Sequence, residues 1–122
     1  MDRNLVLKLL GKRDIVILED IVVEIINILD VFRGNIIKEN KIEDINNLQN
    51  LVKRLEEMEF LVVNIKESLE KVQGYTNSKA YLQKYINEIE ENTRNLIKAI
   101  EEENKENFIL YTNILMDLVL KY

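Results

Sequence analysis

The chain has 122 residues, a formal charge of −5, 47% hydrophobic and 32% charged residues, and no Cys, His, Pro or Trp. Without Cys or His it has no disulfide, thiol nucleophile, zinc–thiolate site, imidazole base, haem His ligand or Glu-x-x-His di-iron pair. The acidic balance argues against non-specific nucleic-acid binding, and the length suits one domain, expected over residues 1–122.

The first thirteen residues admit two readings. Leu5 to Leu10, then Gly11-Lys12, then Asp14 to Leu18 fit a short β-hairpin, supported by the β-branched Ile15-Val16-Ile17. Ile15 and Leu18 fit a helical stripe equally well, and helix is the preferred reading. Lys8 interrupts the only signal-like apolar stretch, and no small-residue cleavage site follows it. The longest apolar runs, such as Ile15 to Leu18 and Phe60 to Val63, are far short of the roughly 20 residues of a membrane span. A cytoplasmic location with no membrane partner is therefore expected.

A first helix is predicted over about 14–38. Ile15, Leu18, Val22, Ile25, Leu29, Phe32 and Ile36 recur by threes and fours, on one face. Ile17, Ile21, Val23, Ile26, Ile28 and Val31 widen that face and leave only a narrow wet strip. Such a helix is central in a bundle or carries a second contact surface. Gly34-Asn35 is a C-terminal stop signal that a helix can also pass through.

The second helix, about 42–72, has the cleanest pattern. Leu48, Leu55, Val62 and Leu69 recur every seven residues, and Leu51, Met58, Ile65 and Val72 follow each by three. Gln73 to Asn77 reads as a loop, with Asn77 or Ser78 as the cap of a third helix over about 78–103. Its stripe is Leu82, Ile86, Ile89, Thr93, Leu96 and Ile100, in which Thr93 is expected to bond a carbonyl one turn earlier. The polar run Glu101 to Glu106 predicts a break near Asn104. A fourth helix, about 105–121, has one formal charge, Asp117, between Phe108 and Leu120.

These elements predict an all-α fold, an antiparallel up-down bundle of three to four helices with shallow crossing angles. The first and fourth helices carry more apolar positions than the about three per heptad a bundle member needs. That excess points to a surface buried against another chain, with Phe108, Ile109, Leu110, Ile114 and Leu118 as its lining.

Catalytic raw material is confined to carboxylates: Glu56, Glu57 and Glu59; Glu88, Glu90 and Glu91; Glu101 to Glu103 and Glu106. Metal or acid–base work needs carboxylates converging in a shielded pocket. Nearly all of these lie opposite the apolar stripes, and none matches an EF-hand loop. Gly11-Lys12-Arg13 fails as a phosphate loop, since Val6 stands where its first Gly belongs and Arg13 replaces Ser or Thr. No catalytic, cofactor-binding or metal-ligating residue is therefore assigned, and no cofactor is expected. Arg3, Lys8, Lys12 and Arg13 form the one basic cluster, flanked by Asp2 and Asp14.

From Ile25 to Tyr122 the chain resembles small bacterial helical-bundle proteins found alongside flagellar genes. The resemblance rests on the turn Phe32-Arg33-Gly34-Asn35, on Leu48 through Ile65, and on Leu96 to Glu101 followed by an acidic break and Phe108 to Val119. In fold and size it is also similar to flagellar export chaperones, helical proteins that hold a partner segment in an apolar groove. The acidic residues expected in the last helix of such relatives are largely missing, Asp117 excepted, and no functional residue is carried over. The expected function is a non-enzymatic protein–protein interaction module, chaperone- or adaptor-like, that binds a partner helix. The alternative is a structural homodimer that buries its own apolar excess.

Overall fold

The computed structural model describes residues 1–37 and 41–122. Among them are four α-helices, α1 (Arg3–Ile37), α2 (Leu48–Glu70), α3 (Thr76–Glu101) and α4 (Lys105–Leu120), and one 3₁₀ turn at Ile42–Asp44. The described residues contain no strand, so the N-terminal hairpin is not formed and residues 3–10 are helical. Two local features favour helix there. The Asp2 carboxylate accepts the Asn4 amide at 3.0 Å as an N-cap, and Val6 and Leu9, three apart, bury one face.

α1 is bent back on itself at Gly11, whose backbone angles (φ 85°, ψ 172°) lie outside the helical region. Arg3 and Glu19 are sixteen residues apart, about 24 Å along a straight helix. Their side chains meet in a two-pronged contact at 3.0 and 3.2 Å. Residues 3–10 therefore form an arm lying along the start of the long segment 12–37. Past the bend, Ile15, Leu18, Ile25, Leu29 and Phe32 are fully buried. So are Ile21 and Ile28 on the flanks, because α1 packs against α2 on one side and α4 on the other. The helix runs through Gly34 to Ile37. The expected end at residue 38 lies outside the described residues.

α2 begins at Leu48, later than the expected 42. Ile42 and Ile45 anchor the preceding 3₁₀ turn in the core, and Asn47 takes a left-handed conformation that separates the turn from the helix. The seam is as patterned: Leu51, Leu55, Val62, Ile65 and Leu69 are buried. α3 begins at Thr76, after a left-handed Tyr75, with no side-chain cap from Asn77 or Ser78. Lys79 instead reaches back to the Glu70 and Val72 carbonyls at 3.1 and 2.7 Å, serving the otherwise bare end of α2.

The break between α3 and α4 falls where the polar run places it. Glu103 is left-handed (φ 53°), the Asn104 amide donates to the Ala99 carbonyl, and the Asn104 side chain accepts the Asn107 amide at 3.1 Å. α3 packs on α2 and α4, while α1 and α3 barely touch, so the helices form a four-cornered ring around one apolar cluster. Across the α1–α4 side, the Phe32 and Phe108 rings stack obliquely with centroids 5.1 Å apart.

Candidate interaction surface

α4 divides the five residues expected to line a docking face. Each helical residue advances about 100°, so Phe108, Thr112, Leu115 and Val119 share one stripe, which is buried. Leu118 sits on the shoulder of that stripe and is also buried. Phe108 and Leu118 thus belong to the core. Leu110 points away from it and is 48% exposed, and Ile109 and Ile114 are half-buried. Five residues apart, Ile109 and Ile114 point about 140° away from each other. What converges outside is Leu110 with Ile114 one turn later, and then Asp117 and Lys121. Leu120, 64% exposed, stands on the neighbouring row with Ile109.

A second apolar feature was not singled out in the sequence. Phe60 on α2 is 66% exposed, beside half-buried Leu61 and Met58 and framed by Lys53, Glu56 and Glu57, which together line a shallow concavity. The signal was present in the heptads: Phe60 lies five positions after Leu55, the outermost place in a repeat whose seam is Leu55 and Met58. A bulky aromatic there gains nothing from the core. Val16 and Val23, seven apart on the outer face of α1, are exposed as well.

Charge on the bundle serves mainly to join helices. Glu90 is the one buried carboxylate among the described residues. It takes Lys66 of α2 at 3.2 Å and Arg94 of its own helix at 2.8 Å, and Arg94 also reaches Glu59 of α2 at 3.0 Å. Glu24 of α1 pairs with Arg54 of α2. The remaining glutamates of the acidic clusters are exposed or half-exposed. Among the described residues no group of three or more His, Cys, Asp or Glu is placed to hold a metal ion. None of the described helices is long and apolar enough to cross a membrane.

Near the chain's two ends, Glu19 is held below the usual carboxylate range by its bond to Arg3. The neighbouring Tyr122 hydroxyl is buried beside Glu19 and is pushed up to about 12, by burial first and then by the Glu19 charge. These shifts describe a packed seam between the arm, α1 and α4. They do not assemble a reactive pair. No family model, curated protein or solved structure matches the chain.

Proposed function

We propose that this chain is a non-enzymatic protein–protein interaction module, chaperone- or adaptor-like, that docks a partner helix on the outer face of α4. The observation that carries the reading is the exposure of Leu110 and Leu120, flanked by half-buried Ile109 and Ile114, on a helix with one formal charge from Phe108 to Leu120. Leu110 and Ile114, one turn apart, are the spacing a groove-bound helix reads. Glu90, the one buried carboxylate among the described residues, is already engaged by two cations, which supports a structural role for it over acid–base chemistry.

The scaffold of this reading is an antiparallel up-down bundle in the cytoplasm. Its direction is supported by pairs whose numbers rise on one helix as they fall on the next. Ile17 lines a concavity with Ser68, and Val31 lines another with Asn47. Glu59 meets Arg94 while Lys66 meets Glu90. Phe32 stacks on Phe108 while Glu19 lies by Tyr122.

The test is the double variant Leu110→Asp with Ile114→Asp. It should keep its helical content and melting temperature and lose a partner that the wild-type chain retains on an affinity column. Equal retention by both proteins, or unfolding of the variant, counts against the α4 face. The alternative reading, a homodimer through the same face, is separated by light scattering behind size exclusion over a hundredfold range of loading. A concentration-independent dimer that the double variant converts to monomer favours self-association.

A further inference from the structure

We infer that the N-terminal arm, residues 3–10, is an exchangeable plug, and that the partner its groove fits is the arm of a second copy of this chain. The inference is independent of what the α4 face binds.

It starts from the unequal lengths of the helices. α4 ends at Leu120, and its last residues lie level with Glu19 of α1, as the position of Tyr122 beside Glu19 records. The long segment of α1 continues below that level to residue 12. Beyond the end of α4 the ring therefore lacks its fourth wall, and the arm fills it. The arm begins where α4 stops, with the Met1 amino group donating to the Lys121 and Tyr122 carbonyl oxygens at 3.3 and 2.9 Å. It runs down to Gly11, where Leu10 and Gly11 line a concavity with Leu61, Ile65 and Ser68 of α2. Val6 (1% exposed) and Leu9 (4%) are the side chains it inserts.

The reversal that returns the arm to its own bundle is made at one residue. Gly11 has a positive φ that an L side chain rarely adopts, and a Cβ built there meets nothing within 4 Å. The bend is thus a matter of backbone conformation alone. If Gly11 becomes helical, residues 3–37 form one straight helix. At about 100° per residue, Val6 then points about 180° away from Ile15, and Leu9 about 180° away from Leu18 and about 160° from Ile25. A straightened arm cannot bury Val6 and Leu9 against its own core. It projects them outward, where the vacated groove of a second copy accepts them. Two copies exchanging arms restore every arm contact, including Arg3 against Glu19, between chains. They also recover the backbone hydrogen bonds lost at the bend. Short hinges of this kind favour swapping, and the result is a closed two-fold dimer.

The experiment uses Gly11→Ala, which removes the residue that tolerates the bend and installs the best helix former. Because each dimer straightens two hinges, the association constant should rise about 100-fold or more. Light scattering should show a dimer at loadings where the wild-type chain is monomeric. The chain has no cysteine, so Arg3→Cys with Glu19→Cys gives a clean reporter under a short bis-maleimide. In wild-type background the link closes within one chain; with Gly11→Ala it joins two. A folded monomer, or a dimer whose links stay within each chain, overturns the proposal. Should Gly11→Ala fail to fold, the Cys pair in the wild-type background is concentrated, warmed to the melting midpoint and cooled. Links between chains then support exchange, and links only within chains overturn it.

Discussion

The Tyr85 hydroxyl donates a 2.8 Å hydrogen bond to the Leu118 carbonyl, tying α3 to the last turn of α4. The same carbonyl also accepts the Lys121 amide at 3.2 Å, so the buried phenol is a second donor at the end of α4. The same burial raises the Tyr85 pKa above its ordinary value. Tyr122, just past the end of α4, is raised to about 12. Both groups are held neutral in the folded chain and ionise more readily once unfolded. Their contribution is complete below pH 10 and is lost as pH climbs, by about 12 for Tyr122 and higher still for Tyr85. Urea midpoints should therefore hold steady up to about pH 10 and then fall. Tyr85→Phe should cost about 1 kcal/mol at neutral pH and make that fall shallower. An unchanged alkaline slope in the variant would contradict the assignment.

Thr93 and Thr112 are fully buried, and neither hydroxyl has a hydrogen-bond partner. The back-bond expected of Thr93 is not made. A desolvated hydroxyl without a partner costs about 1–3 kcal/mol, and valine fills nearly the same space without it. Thr93→Val and Thr112→Val should each stabilise the fold by about 1 kcal/mol, a rise of a few degrees in melting temperature. Calorimetry reads this directly, and a lower melting temperature in either variant would mean the hydroxyl is served.

Where a residue's role follows from its spacing along one helix, it was legible in the sequence. The seam of α2, Leu51 through Leu69, and the break at Asn104 are set by local pattern and capping chemistry, and both appear where expected. The role of the fourth helix was harder to read. Its apolar residues surround it on all sides, so periodicity alone does not tell Phe108, which meets Phe32, from Leu110, which meets solvent. The apparent apolar excess of α1 had an internal use, since Ile21 and Ile28 are covered by neighbouring helices. The arm was legible only as an ambiguity. Val6 and Ile15 belong to stripes on opposite sides of a continuous helix, and a phase change of that size at a glycine is the mark of a reversal.

Gly34 and Gly11 should respond to alanine in opposite directions. Gly34 lies within α1, with nothing within 4 Å of a built Cβ and no positive φ. Gly34→Ala should stabilise by about 0.5–1 kcal/mol through lower unfolded-state entropy and better helix propensity. A chemical denaturation curve with unchanged slope and a higher midpoint is the expected result; a lower midpoint would mean that the helix is interrupted there.

Phe108 and Leu110 stand two positions apart on α4, and their separate truncations test how its surface divides. Phe108 is buried against Phe32 with ring centroids 5.1 Å apart. Removing its ring opens a cavity that rigid helices on both sides close only in part, and Phe108→Ala should cost about 3–5 kcal/mol. That is a large share of the stability of a small domain, so the variant should melt far lower or fail to fold. Leu110 is half exposed on the opposite side of the helix. Leu110→Ala loses little burial and gains helix propensity, and its midpoint should stay within about 0.5 kcal/mol of wild type. Denaturation of the two variants side by side reads the difference. Equal losses would mean that Leu110 is covered in solution, by a second copy or by a shifted helix, and the outer face of α4 would then be an occupied interface.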